Sequence, residues 1–424
     1  MFLCLAIFYW TQCWRVYRTE TLAAAGDLHY VESAIRIEND NAMLHYFRAK
    51  LLSVPPHSTK EALPELKEAV RLDPNEAAYS IETAFIEQGL GHRPERDTAL
   101  ANALAAAPHR PNVAWAIGNL LVSSGELNRA LPIFRELIAK DPNYRQQVLA
   151  LCWRVRPDAA SLIADLMPDD ALSTADFLEL LIRQKQYDAA TTVYQHLVSL
   201  HGEPQVSSVT GYIRAMIQNQ KWQEAAAAWN AAAEAYPTLR AYREGTNLVV
   251  NPSFEFPLLN APLDWIFEGR NNITTELDTA ETHDGSHSLV MSFNESRETD
   301  LGVAQWVPVE PNMSYTFSAF ARTRDIVSAD SPRMRLSAAE VSTPLWLSQD
   351  LRGFDGWHEL RTTFTTASST HMLRISIERQ NSTLLRGRLW LDQFILVANG
   401  LKQIDQPQMP VTNNTSTESK KVVR

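Results

Sequence analysis

Asp392 is the residue whose setting asks most for a chemical explanation. It lies in the apolar stretch 389–397, where a strand would put every second side chain on one face, grouping Trp390, Asp392, Phe394 and Leu396. If that face is inward, a bare carboxylate there is costly unless it is paired or metal-bound. The alternative is a carboxylate hydrogen-bonded to backbone amides or exposed at a strand end. Aromatic residues on polar faces are the second group. In 315–322, Tyr315, Phe317, Ala319 and Ala321 share one face, and Thr316, Ser318, Phe320 and Arg322 share the other. Trp306 stands opposite Val303, Val307 and Val309. Arg374 and Glu378 alternate with Leu373, Ile375 and Ile377, and Trp346 sits in the apolar, loop-like stretch 344–347.

Such a set suits sugar binding, in which an aromatic ring stacks on the apolar face of a sugar and polar neighbours hydrogen-bond its hydroxyls. Trp306, Phe320, Arg322, Arg374, Glu378 and Trp346 are the candidate carbohydrate-binding residues. Packing against the helical part of the chain is the alternative for Trp306 and Phe320, while Trp265, Trp357 and Trp390 read as core. Catalysis has little support. Asp169-Asp170 reads as a solvated helix cap, and no two carboxyls can be nominated to converge across a cleft as glycosidases require. No nucleophile elbow, phosphate-binding loop, H-E-x-x-H or dinucleotide fingerprint occurs. His283 and His287 are four apart on a loop-to-strand segment, where helical spacing has no meaning; His45, His92, His109 and His371 read as surface residues. The chain reads as a non-enzyme.

The elements that must position these residues fall in two halves. The chain has 424 residues, which calls for two or three domains, and its 45% hydrophobic and 21% charged residues are those of globular protein. A net charge of -10 argues against nucleic acid as a partner. Cys4, Cys13 and Cys152 define neither a disulfide framework nor a cysteine zinc site. Residues 1–14 are mostly apolar and aromatic and precede Arg15 and Arg18, but they are short for a spanning helix and lack a signal peptide's basic start and cleavage site. Residues 1–20 are a membrane anchor starting further upstream, a short uncleaved anchor, or a buried amphipathic first helix. Arginines after the segment favour a cytoplasmic side for the remainder of the chain, against an extracellular glycan-binding domain.

Pro74, Pro108 and Pro142 each close an Ala/Leu-rich helical stretch, and they are spaced 108 − 74 = 34 and 142 − 108 = 34. This period resembles that of tetratricopeptide repeats. Gly118 and Ala130 occupy the positions where that family's paired helices cross closely, with Phe134 and Leu137 pointing into the groove, and the turn at Gly125 matches the family's turn. Turns at Tyr187 and Trp222 repeat it, 222 − 187 = 35 apart. The resemblance covers roughly 40–240 and is degenerate between Arg145 and Ala175; it implies an α-solenoid with a protein partner on its concave face. Beyond Gly245 the Ala-rich runs give way to short alternating segments at 288–293, 315–322, 358–365, 372–379 and 389–397, the pattern of an antiparallel β-sandwich. The polar tail 399–424 reads as disordered.

The C-terminal half resembles carbohydrate-binding-module jelly rolls over about 247–398. The motifs, in order, are Asn251 with Phe254-Glu255, Asp264-Trp265, Gly285 with Ser288-Leu289, Pro311 with Tyr315, Gly356-Trp357, and Trp390 to Phe394. The resemblance implies a structural calcium ion held by Glu255 and Asp392, with Asp284 and Gly285 in the neighbouring loop, and oxygen ligands suit calcium. The expected order is therefore an N-terminal segment at 1–20, helical repeats at 21–244, a jelly-roll sandwich at 247–398 and a tail. The combination is similar to proteins encoded with bacterial exopolysaccharide or O-antigen assembly machinery. It implies a membrane-anchored scaffold on the periplasmic or extracytoplasmic face of an envelope, binding protein with its repeats and polysaccharide with its sandwich. A purely protein-binding adaptor is the alternative, and a glycan hydrolase is a third class.

Overall fold

Helical stretches punctuated by Pro and Gly fold as short helices joined by tight turns. The computed structural model describes residues 2–24, 26–55, 58–200, 206–259, 261–339, 341 and 343–400. Two compact units divide the chain, Met1–Ala215 and Met216–Arg424. The first holds α1 (Phe2–Ala24), α2 (Leu28–Ile37), α3 (Ala42–Leu52), α4 (Thr59–Leu72), α5 (Ala77–Leu90), α6 (Arg93–Ala106), α7 (Pro111–Ser123) and α8 (Leu127–Lys140). A short 3-10 turn at Pro142–Tyr144 leads to α9 (Arg145–Val155), α10 (Ala159–Asp165), α11 (Ala171–Arg183), α12 (Tyr187–Ser199) and most of α13 (Val206–Gln218).

Side-chain caps start many of these helices: Asp27 accepts from the His29 amide, Asn41 from Met43, Ser58 from Lys60 and Asp170 from Ser173. Left-handed residues turn one helix of a pair into the next. Gly91 and Gly125 do so 34 residues apart, and Lys185 does so at positive φ in spite of its side chain. The close crossing expected at Gly118 is present, since a Cβ there would lie 2.1 Å from a ring carbon of buried Phe134. Phe134 and Leu137 are buried rather than open to a groove. The degenerate stretch is helical, with α10 cut to seven residues. His45 is no surface residue: it is buried between Glu65 at 2.8 Å and the Asn39 carbonyl at 3.0 Å.

The N-terminal segment forms one 23-residue helix. Arg15 reaches Glu38 at 3.1 Å and Thr19 is buried beside it, while Trp10, Trp14 and Tyr17 are exposed. Among the described residues no helix is long and apolar enough to cross a membrane.

The second unit, Met216–Arg424, takes in α14 (Trp222–Ala235), whose Trp222 stacks on Trp306 of the sandwich. After α15 (Pro237–Arg240) come β1 (Ile266–Phe267), β2 (Ile273–Asp278), β3 (Ser288–Ser296), β4 (Asp300–Pro308), β5 (Ser314–Val327), β6 (Arg333–Ala338), β7 (Pro344–Leu347), β8 (His358–Thr365), β9 (Met372–Glu378) and β10 (Leu385–Ala398). They form two five-stranded antiparallel sheets, ordered β1-β4-β9-β6-β7 and β2-β3-β10-β5-β8. Between them lie Phe254, Trp265, Met291, Phe317, Leu336, Ile375, Leu391 and Phe394. Asn399 ties back to β5 through Ser314, and 401–424 of the expected tail lie outside the described residues.

One irregularity decides the site. Asp392 pairs with Phe320, but Ile395 pairs with Ser318, so β10 carries an extra residue, with Gln393 at φ 48°. Phe394 and Leu396 therefore point into the core, whereas Trp390 and Asp392 point to the opposite face. The expectation that all four share a face is corrected by this bulge, because one inserted residue inverts a period of two.

Replacing Gly118 by Ala should destabilise the helical unit by about 1–3 kcal/mol, since the Phe134 ring packed against Trp115 has little room to yield. Urea unfolding followed by far-UV circular dichroism should give a lower midpoint with an unchanged slope.

Candidate functional site

Loop 279–287, between β2 and β3, folds over the outer face of the β2-β3-β10-β5-β8 sheet and uses up most of its chemistry. Its His283 ring stacks on Phe320 with centroids 3.6 Å apart and meets Trp357 edge-on at 5.6 Å. Glu281 takes hydrogen bonds from both Arg322 and Arg324, and Arg324 lies over the Trp390 ring at 5.1 Å. Trp390 donates its indole N–H to Asp278 at 2.8 Å, so it is buried on this outer face rather than in the core between the sheets. Trp357 likewise belongs to this face and not to the core. Phe320 and Arg322 thus already have partners within the sandwich.

The four residues expected to hold calcium do gather around this loop. Asp392 Oδ2 accepts from the backbone amides of His283 at 2.7 Å and Asp284 at 3.0 Å, and Oδ1 accepts from Gln393 at 2.7 Å. Burial pushes the Asp392 carboxyl up, the three amides pull it down and the Asp284 charge adds to the rise, leaving it above its ordinary value. Glu255 Oε1 accepts from the Ser286 and His287 amides at 2.7 and 2.8 Å. Burial opposes ionisation of Glu255, but those amides outweigh it and hold the group below its ordinary value. Gly285 lies at φ 64°, and a Cβ there would meet Glu255 Oε1 at 2.4 Å. Ser253 donates to Asp284 at 3.1 Å. A calcium ion needs converging oxygen lone pairs. The Asp392 carboxylate and Glu255 Oε1 are turned to N–H donors, and among the described residues no three His, Cys, Asp or Glu side chains are grouped to hold a metal. As arranged, the donor set fits a metal-free cap on the loop.

The remaining sugar candidates lie elsewhere. Trp306, Arg374 and Glu378 share the outer face of the β1-β4-β9-β6-β7 sheet, with Trp306 opposite Arg374 in the ladder. Trp222 at the start of α14 stacks on Trp306, with centroids 5.5 Å apart and planes at 28°, and Gln223 contacts the His371 ring. Glu378 pairs with Arg335 at 2.8 Å, and Arg374 lies 3.6 Å from Asp300. Between them Ser376 is buried without a hydrogen bond for its hydroxyl. Trp346 is on edge strand β7 rather than in a loop, and its ring packs towards Phe317 at 5.9 Å. The six candidates therefore fall on two opposite outer faces and in the core, and no single site unites them.

In the helical unit, a cleft of about 380 Å³ is lined from α9, α11 and α13 by Arg145, Leu172, Asp176, Glu179, Ile182 and Ser208, among others. Leu172 is an exposed apolar side chain at its edge. Neither this cleft nor the cover that Trp222, Glu281 and His283 provide is singled out by sequence alone. The one available signal was Trp222, an aromatic opening the last helix of the repeat pattern.

No family model matches the chain and no curated protein matches it. Among solved structures, the sandwich is similar to a family 4 carbohydrate-binding module, at 12% identity over 36% of this chain and 99% of that one, TM-score 0.28. It is likewise similar to a family 61 module in complex with β-1,4-galactotriose, at 13% identity over 37% and 100%, TM-score 0.27. The helical region is similar to PilF of Pseudomonas aeruginosa, at 15% identity over 53% and 94%, TM-score 0.27. It is also similar to YrrB, a tetratricopeptide-repeat protein with an unusual peptide-binding site, at 16% identity over 50% and 95%, TM-score 0.23. The architecture is a tetratricopeptide-like helical repeat region followed by a jelly-roll sandwich like those of carbohydrate-binding modules.

With its carboxylates already met by amides, the full chain should keep the same melting temperature when calcium or a chelator is added. Asp392→Ala should lower stability by about 2–3 kcal/mol, because it strands three amides, and hydrogen exchange should rise at 279–287. A second prediction concerns Asp264, which is wholly buried; Oδ2 accepts from the Leu259 amide at 2.6 Å and Oδ1 has no hydrogen bond. Burial pushes it up to about 6 from an ordinary 3.8. The folded chain keeps this proton where the unfolded chain has lost it, so the group's contribution is full below about pH 4 and is lost as pH rises through about 6. Asp264→Asn should therefore gain on the parent as pH rises over that window, by at most about 3 kcal/mol at pH 8 in urea unfolding.

Proposed function

We propose that this chain is a non-catalytic adaptor whose helical repeats take an extended or helical segment of a partner protein. The observation that carries the reading is the disposition of the outward aromatics. Trp306 is stacked under Trp222 and Phe320 under His283, so both ring faces that a sugar would use are taken by the chain's own side chains. The cleft across α9, α11 and α13 supports the protein-binding half. It offers apolar Leu172 and Ile182 beside Asp176, Glu179 and two serines, a mixed lining suited to a peptide with apolar anchors.

A second reading has one observation in its favour. The outer face of the β1-β4-β9-β6-β7 sheet still presents Arg374, Arg335 and Glu378, a polar strip that could hydrogen-bond a polysaccharide. On that reading the chain is a membrane-tethered scaffold in the assembly or export of a cell-surface polysaccharide, placed on the outer side of the membrane.

The readings part on one experiment with the full chain. Peptides selected from a displayed library should bind the parent and lose roughly tenfold or more in affinity with Leu172→Lys, while keeping it with Trp306→Ala. On a broad glycan array, neither parent nor Trp306→Ala should bind. Glycan binding by the parent that Arg374→Ala removes would replace the adaptor reading with the polysaccharide one.

A further inference from the structure

One repeat breaks the packing rule of its neighbour. The 34-residue period maps Ser80, Thr83, Glu87 and Arg96 onto Ala114, Ile117, Leu121 and Ala130. In the later repeat Ile117, Leu121 and Ala130 are buried and apolar, as stacked helices require. In the earlier one the same places carry two hydroxyls, a carboxylate and a guanidinium. Arg96 is fully accounted for. Its guanidinium donates to Gln88 at 2.6 Å, Asp97 at 2.7 Å and Glu126 at 2.8 Å, tying α5 and α6 to the start of α8. Thr83 donates to the Tyr79 carbonyl at 2.8 Å, within its own helix.

Ser80 and Glu87 are not so provided for. Glu87 is only 2% exposed, and its one hydrogen-bond partner among the described residues is the His92 ring, 2.8 Å from Oε2. Ser80 is also 2% exposed, and its hydroxyl has no partner among the described residues. Both line a pocket of about 270 Å³ between α4, α5 and α6, walled by Thr83, Thr98 and Asn102 and flanked by Lys67 and Glu95. The two residues are buried as a whole, yet neither the Ser80 hydroxyl nor a Glu87 oxygen is among the fully buried polar atoms that lack a partner, so both groups remain available to whatever enters the pocket. Here the unmet groups face a cavity rather than packed side chains.

We propose that this pocket binds an organic cation, the ammonium or guanidinium end of a side-chain-sized group, with Glu87 as its counter-ion and Ser80 and Asn102 as hydrogen-bonding neighbours. His92 holds the carboxylate in place from behind. The His92 ring takes Oε2 at 2.8 Å, and Glu87 itself lines the pocket. The group is a lysine or arginine side chain of a protein partner, or a free amine of the same chemistry. The site is separate from the cleft on α9, α11 and α13 and does not depend on the adaptor reading.

Calorimetric titration of the full chain tests it, with N-acetyl-lysinamide, N-acetyl-argininamide and n-butylammonium as probes and uncharged N-acetyl-norleucinamide as control. The cationic probes should bind and the norleucine control should not. Tighter binding of the two amides than of butylammonium would assign the cation to a peptide side chain, and the reverse to a free amine. Glu87→Gln, which keeps the shape, should weaken binding roughly tenfold or more. Glu87→Leu, which restores the residue of the next repeat, should abolish binding while raising the melting temperature, so that loss of binding cannot be loss of fold. Equal binding of the norleucine control, no binding of any cation, or binding undiminished in Glu87→Gln would overturn the proposal.

Discussion

The sandwich is organised around a single carboxylate and the backbone amides it receives. Asp392 can reach His283, Asp284 and Gln393 only because the bulge at Gln393 turns it away from the core that Phe394 and Leu396 fill. Its acceptance of two amides from loop 279–287 fixes that loop over the sheet. The other contacts are then set by position: His283 comes down on Phe320, Glu281 reaches Arg322 and Arg324, and Arg324 closes over Trp390. Glu255 secures the far end of the loop at Ser286 and His287. A carboxylate satisfied by amides does for this loop what a cation would do through carbonyls, with the opposite polarity of donors.

Much of the architecture was legible because it rests on periods. The 34-residue proline spacing gave the helix pairs, and Gly118 gave their closest approach, since a side chain there collides with Phe134. Alternation gave β8 to the residue and the inward faces of β5 and β9. The parts that escaped have physical reasons. A bulge inserts a residue without any marker in composition, so the face of Asp392 was inverted. Strand β6 hides its alternation behind Arg333 and Arg335, whose charged ends are met by Asp350 and Glu378. Contacts between residues far apart in sequence, such as Trp222 on Trp306, have no periodic signature at all. That contact joins α14 to the sandwich within the second unit.

For the candidate site the same limit applies more severely. Alternation correctly placed Phe320, Trp306, Arg374 and Glu378 on outward faces, but an outward face is not an open one. Each of these side chains had a partner waiting, supplied by a loop, a helix or a neighbouring strand. Exposure depends on what else folds over the sheet, and a strand's own residues carry no record of it.

Polar residues at repeat core positions separate into two physical kinds, and the difference bears on function. Arg96 replaces a small apolar residue, yet its donors meet Gln88, Asp97 and Glu126, and the Arg129 side chain joins the same acids. Desolvation of that charge is offset inside the protein, so the network explains itself as structure. Ser80 and Glu87 replace apolar residues too, but the chain offers them less than they can accept, and leaves a cavity instead of side chains against them. Leu at position 87, the residue that the next repeat carries at Leu121, would fill such a gap by packing. A polar pocket lined by a carboxylate stabilises the fold further when a ligand of the right charge binds it, since only the folded chain offers the site.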